Sequence, residues 1–322
     1  ELFQLAGSGK LLEPDMRRER VKAMIDDERS WGFVEHFVDQ WLDLSSVNRV
    51  AINPEFYPRF DSRLKDDMRL ETLHFFNEIM RKDLSALTLL DADFTMLNEP
   101  LAAHYGLKKP KGVEFVKVNL EGDQKQRRGG ILAHASTLLG NSSGDDSHPI
   151  LRAVWIRDRL LGSPPASPPP DVPELETNDP KHRELNLRQQ LEMHRQKEAC
   201  NSCHKNLDPW GVPLENYDAV GKWRSEMRTS GKRKIPVDSI SVLPGGQKLD
   251  GIAGLRAHLV GKERDRFVRA FVSRLFAYAL GRSVEITDYA DLESLIDAFQ
   301  KSDYNIKSLI VAITDLETFN SK

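Results

Sequence analysis

Cysteine is almost absent from this chain, with two residues in 322. One pair cannot build a disulfide-stapled fold or a four-cysteine zinc finger, so both are excluded. Long apolar runs are missing too, and none approaches the ~20 residues that a membrane-spanning helix needs. Neither sign of charge dominates: 46 Lys and Arg stand against 49 Asp and Glu, for a formal net charge of -3. The two signs are interspersed, so no nucleic-acid footprint or polybasic membrane patch is expected. Gly129-Gly130 lacks the pattern of a phosphate loop. No Ser/His/Asp set is spaced for nucleophilic catalysis, and no catalytic residue is assigned.

What is present is concentrated in one string. Both cysteines fall in Cys200-Asn-Ser-Cys203-His204, which matches C-x-x-C-H, the attachment signature of c-type haem. Two thiols at that spacing can add to the two vinyl groups of one haem, and the adjacent imidazole reaches the iron. A redox dithiol would need a βαβ context, whereas a charged amphipathic segment precedes this motif. A structural zinc site would want further ligands at finger spacing. These alternatives stay open beside covalent haem. Haem c is attached outside the cytoplasm, so a periplasmic or other extracytoplasmic location is expected. The opening Glu1-Leu2-Phe3-Gln4 reads like the inside of a helix, and the chain is expected to start partway through a longer protein.

The apolar period is three to four residues through most of the chain, which predicts a mainly α fold with at most short strands or hairpins. Helices are expected across Leu11–Leu44, Ser62–Arg81, Asn98–Tyr105 and His148–Leu161. Three more are expected at Glu263–Leu280, Tyr289–Gln300 and Ile306–Phe319. Val113–Leu120 reads as a short strand and Gly231–Gly251 as a small hairpin. Most of a proline tract lies in Ser163–Pro173, extended and semi-rigid, and it marks a domain boundary. The resulting division is 1–126, a helical domain truncated at its start; 127–173, a helix and proline-rich linker; and 174–322, a haem module with closing helices.

Several further strings resemble one family. They are Phe37-Val-Asp-Gln-Trp-Leu-Asp-Leu44, Leu97-Asn-Glu-Pro-Leu-Ala-Ala-His-Tyr-Gly106, Gly129-Gly-Ile-Leu-Ala-His-Ala-Ser136 and Ser147-His-Pro-Ile-Leu-Arg-Ala-Val-Trp155. Leu161-Gly-Ser-Pro-Pro165 follows, and after the motif come Asp208-Pro-Trp-Gly211, Leu214-Glu-Asn-Tyr-Asp218, Gly221-Lys-Trp-Arg224 and Tyr278-Ala-Leu-Gly-Arg282. In this order they are similar to the planctomycete-type multidomain c-type cytochromes, extracytoplasmic proteins with serial domains of unknown function. The resemblance implies a single-haem electron-transfer module, the C-terminal portion of a larger protein linked to oxidation of carbohydrate or similar substrates. Its partners would be a redox protein or upstream domains of the same protein.

Cys200 and Cys203 would form the thioethers and His204 the proximal iron ligand. A liganding imidazole usually gives its other nitrogen to a carbonyl or carboxylate, and the expected turn Asn206-Leu207-Asp208-Pro209 is the nearest source. His104 is favoured as the sixth ligand, with Met227 and His194 as alternatives. An open sixth position would make a haem enzyme instead. Arg224, and after it Arg195, could pair with the propionates, and Trp210 and Trp223 could pack on the macrocycle. Asp145-Asp146 reads as a flexible acidic loop rather than a cation site.

Overall fold

A computed structural model describes residues 2–166, 187–195, 198–228 and 234–321; within these spans the side chains at 187, 188, 190, 198, 199, 202 and 228, and those of His194 and Cys200, lie outside what is described. Helix makes up 61% of the structure. Strands among the described residues form only three two-stranded antiparallel ladders. The fold is mainly α, as the apolar spacing predicts. No helix among the described residues is long and apolar enough to cross a membrane.

Local signals set the helix ends. In the helix Glu99–Tyr105 the Asn98 side chain accepts from the Leu101 amide at 3.0 Å, Pro100 sits in the first turn, and Gly106 closes the end at φ 69°. This is the cap, proline and left-handed glycine order that the string Asn-Glu-Pro…Gly predicts. The helix Leu64–Arg81 carries Asp66 and Asp67 in its first turn and Arg81 in its last, which suits the helix dipole. Its buried stripe is Met68, Thr72, Phe75, Phe76 and Ile79.

The long opening pattern is interrupted. Helices run Pro14–Asp26 and Trp31–Leu42, separated by a tight turn over Glu28–Ser30. Asp27 causes the break, because its carboxylate accepts from the Arg29 amide at 2.9 Å and so offers the backbone an alternative to the helix. A helix Gly251–Gly261 also appears where only a hairpin was expected to end. Ile252, Leu255 and Leu259 bury one face of it, and the glycines at 251, 254 and 261 conceal it from propensity. The helix beginning at Pro149 runs to Trp155 and widens into a π turn over Ile156–Leu160.

The expected strand is Val116–Asn119, paired antiparallel with Phe94–Leu97 so that Phe94 faces Asn119 and Leu97 faces Val116. Short hairpins pair Glu226–Arg228 with Lys234–Pro236 and Ile240–Val242 with Lys248–Asp250. Most of the proline tract lies outside the described residues.

One apolar core joins the start of the chain to its end. Phe37 packs edge-on to Tyr278 at 5.4 Å and Trp41 to Phe271 at 5.0 Å. The helix Arg264–Leu280, whose stripe is Phe267, Phe271 and Leu275, supplies these partners and ends at Gly281 with φ 65°. Two indole N–H groups tie the opening helices to the middle of the chain: Trp41 donates to the Arg159 carbonyl at 2.8 Å and Trp155 to that of Leu42 at 2.9 Å. Around the rim, Arg18 pairs with Asp315 at 2.6 Å and Lys307 with Asp26 at 3.0 Å.

Candidate cofactor site

The C-x-x-C-H string lies on a helix, Glu198–Gly211. Positions 200, 203, 204, 207 and 208 recur at i, i+3, i+4, i+7 and i+8, so they share one side of it. Exposure changes sharply along this helix. Asn201, Cys203, Lys205 and Asn206 are exposed, whereas Leu207, Asp208, Pro209, Trp210 and Gly211 are buried. The buried end is anchored in three ways. Trp210 packs on His258 with ring centroids 5.6 Å apart, and the Ser241 hydroxyl donates to the Pro209 carbonyl at 2.7 Å. Gly211 meets the helix Pro149–Trp155 so closely that a Cβ there would collide with the Pro149 carbonyl. The cysteine end is thereby held at the surface.

Asn206–Pro209 is not the expected turn. The helix continues through it, with Pro209 inside. The missing Pro209 N–H costs a helical bond, and the anchoring of Trp210 and Gly211 keeps the last turn in place. Helical geometry brings Asp208 to the histidine four residues before it. The His204 Nδ1 lies 2.8 Å from Asp208 Oδ1. Because a carboxylate only accepts, Nδ1 carries the hydrogen and Nε2 carries the lone pair. A surface thiol at Cys203 and an imidazole oriented by a carboxylate are a donor set that fits haem c. Asp208 Oδ2 is 3.8 Å from Arg195 Nε.

The other expected residues are placed as follows. The Arg224 guanidinium is half-buried in an ion network, 2.5 Å from Asp146, 2.8 Å from the Ser147 hydroxyl and 3.4 Å from Glu215, while Nε donates to the Glu215 carbonyl at 3.1 Å. Asp146 is thus an ion-pair partner of arginine. Of the two arginines, Arg195 is the one whose ionic partner is on the motif helix. Trp223 stands edge-on to Tyr217 at 5.2 Å, under the Arg127 guanidinium at 4.8 Å. His104 lies against Phe60, and its Nε2 is 2.7 Å from the Val220 carbonyl. Burial pulls its pKa down to about 4, so the ring is neutral and Nε2–H donates. Met227 is half-buried on a hairpin strand opposite Ile235. The helix Leu187–His194 enters the region with Leu191 buried. Among the described residues no group of three His, Cys, Asp or Glu could hold a metal ion.

Sequence reasoning missed two buried polar networks. In the first, Glu71 accepts from Tyr105 at 2.5 Å and Thr95 at 2.7 Å, and His134 Nε2 faces it at 3.9 Å. The Thr72 hydroxyl bridges His134 Nδ1 and Ser136. Arg128 lies 3.9 Å over the Tyr105 ring and donates to the carbonyls of Ala133 and Gly221 at 3.0 and 2.7 Å. Desolvation raises Glu71 to about 7 and lowers His134 to about 3. In the second network Arg152, fully buried, donates to the carbonyls of Leu214, Tyr217 and Asp218 at 2.8–2.9 Å beside Glu215. One signal was readable: Glu71 sits on the apolar stripe between Met68 and Phe75, where a charge has to find partners.

Three family models match the chain in series. Residues 1–107 match a protein of unknown function (DUF1592), residues 128–227 a protein of unknown function (DUF1588), and residues 245–319 a protein of unknown function (DUF1585). These are the serial domains of planctomycete-type cytochrome c proteins. The middle segment contains the C-x-x-C-H string as well as Arg128, Arg152 and Arg224. No curated protein and no solved structure matches the chain.

Proposed function

We propose that this chain is an extracytoplasmic single-haem c-type cytochrome module that carries electrons within a larger protein linked to substrate oxidation. Cys200 and Cys203 would bind the vinyl carbons and His204 the iron. The observation that carries this reading is the motif's setting: a C-x-x-C-H on one helix, its cysteine end at the surface and its histidine fixed by buried Asp208. When bound, the haem would supply one-electron exchange. The chain's residues supply attachment, orientation of the imidazole and a surface position from which a redox partner can be reached.

The test is production with periplasmic haem c maturation, followed by denaturation. Retained haem mass on the unfolded chain and a haem c pyridine spectrum are expected. Pigment lost to acid-acetone, or zinc in place of iron by elemental analysis, sinks the reading.

For the sixth position we propose His104, with Met227 and His194 as alternatives. The bond from His104 Nε2 to the Val220 carbonyl favours a second reading, in which the position is open to small ligands. Carbon monoxide or cyanide binding by the parent chain supports the open site. Binding that appears only in His104→Ala supports His104, and binding only in Met227→Ala supports the methionine.

A further inference from the structure

We infer that Asp208 lowers the midpoint potential of the haem, by giving His204 anionic character through Nδ1. This rests on the covalent-haem reading above and adds the direction in which the site is tuned. A backbone carbonyl on Nδ1 offers only a dipole, whereas Asp208 offers a full charge at 2.8 Å. That charge is poorly screened, because the Asp208 side chain is 4% exposed and Oδ2 has no hydrogen-bond partner among the described residues. The buried Leu207 and Trp210 help keep water from it. Negative charge drawn onto a proximal imidazole stabilises ferric over ferrous iron, so the midpoint potential falls. The potential then lies below the value the same site would have with an uncharged acceptor on Nδ1.

Arg195 acts against this. Its Nε at 3.8 Å from Oδ2 is the cation paired with Asp208, at a side chain 29% exposed. The geometry therefore gives Arg195 a role in balancing the proximal charge. Both are positioning residues that act on the iron through His204.

The experiment measures midpoint potentials of the full chain, matured with haem, for the parent, Asp208→Asn and Arg195→Gln. Asparagine keeps an acceptor oxygen beside Nδ1 and removes the charge. The potential is expected to rise in Asp208→Asn and to fall in Arg195→Gln, with haem content unchanged. Opposite shifts are the signature of charge, since a residue that only held the helix together would not produce them. An unmoved potential in Asp208→Asn with haem retained overturns the inference. If Asp208→Asn does not mature, Arg195→Gln decides alone: a fall supports the inference, and an unchanged or raised potential overturns it. A parent chain without covalent haem overturns the reading beneath and this one with it, and that result is seen before any variant is compared.

Discussion

The surface half of the motif helix and the buried seam around Glu71 use the same residue types in opposite ways. At Cys203 and His204 the polar groups stand at the protein's edge, and their partner Asp208 is four residues away. At Glu71, Tyr105, Arg128 and His134 they are enclosed, and apart from the Arg128 bond to Ala133 their bonds join positions 24 to 93 residues apart. An exposed site of this kind leaves its groups available for chemistry while the stability comes from elsewhere. The enclosed one fixes how the first and second matched segments meet, because each of its charges is costly unless the others are in place.

Removing the cysteines separates the two regions most completely. Cys200→Ala with Cys203→Ala should abolish covalent haem outright, read as loss of haem mass on the denatured chain. The helical circular dichroism signal of the remaining fold should persist, since among the described residues the core joining residues 25 to 313 takes from that helix only Leu207 and Trp210. A variant that loses its fold along with its haem would break the comparison. The next largest effect belongs to the seam. Arg128→Ala removes two carbonyl bonds and the cover over Tyr105, leaving buried acceptors without partners. A loss of about 3 to 5 kcal/mol is expected by denaturant titration. Arg128→Lys should recover little of it, because one ammonium cannot reproduce the fork to Ala133 and Gly221.

What the amino-acid sequence discloses follows the same divide. The C-x-x-C-H string, the cap at Asn98 and the stripe of Phe267, Phe271 and Leu275 are local patterns, each legible within a few residues. The His204–Asp208 pair was half legible. The acceptor was expected nearby, but a turn was expected to supply it, because Asp-Pro is a common turn pair and nothing local shows that Trp210 and Gly211 are clamped from other elements. The break at Asp27 depends on which of two equivalent bonds an aspartate makes. The seam and the Arg152 cage were illegible beyond the placement of Glu71, since a buried charge is defined by neighbours distant in sequence. Arg224 shows the cost of this. Proximity in sequence to the haem string made it a propionate candidate, while in the fold its charges are met by Asp146 and Glu215.

The seam can be examined without disrupting it. Burial raises Glu71 from the usual 4.5 to about 7, so on raising the pH the unfolded chain releases this proton before the folded one. The stability associated with a protonated Glu71 is therefore full below pH 4.5 and is lost as the pH rises through 7, by on the order of 3 kcal/mol. His134, held neutral with its pKa near 3, acts in the other direction and lowers stability as the pH falls below 6.5. Glu71→Gln removes only the first contribution. Unfolding free energies of parent and variant at pH 4 and pH 8 should differ in their pH dependence, with the variant gaining on the parent toward pH 8. Parallel profiles would show that Glu71 titrates normally and that the seam is wetter than its geometry indicates.

The smallest effect tests the surface half alone. Lys205 is exposed on the cysteine end of the motif helix, next to His204. Lys205→Glu should leave unfolding free energy within ~0.5 kcal/mol of the parent, as for an ordinary surface substitution. It reverses a charge beside the proposed point of electron entry, however, where long-range electrostatics govern encounter with a charged partner. With a small anionic and a small cationic reductant, the ratio of the two haem reduction rates should shift toward the cationic one at low ionic strength. The shift should disappear at ~1 M salt, where the screening length is about 3 Å. If the rates do not respond while stability drops by more than ~1 kcal/mol, the motif end is part of the packed structure, and the contrast with the seam no longer holds.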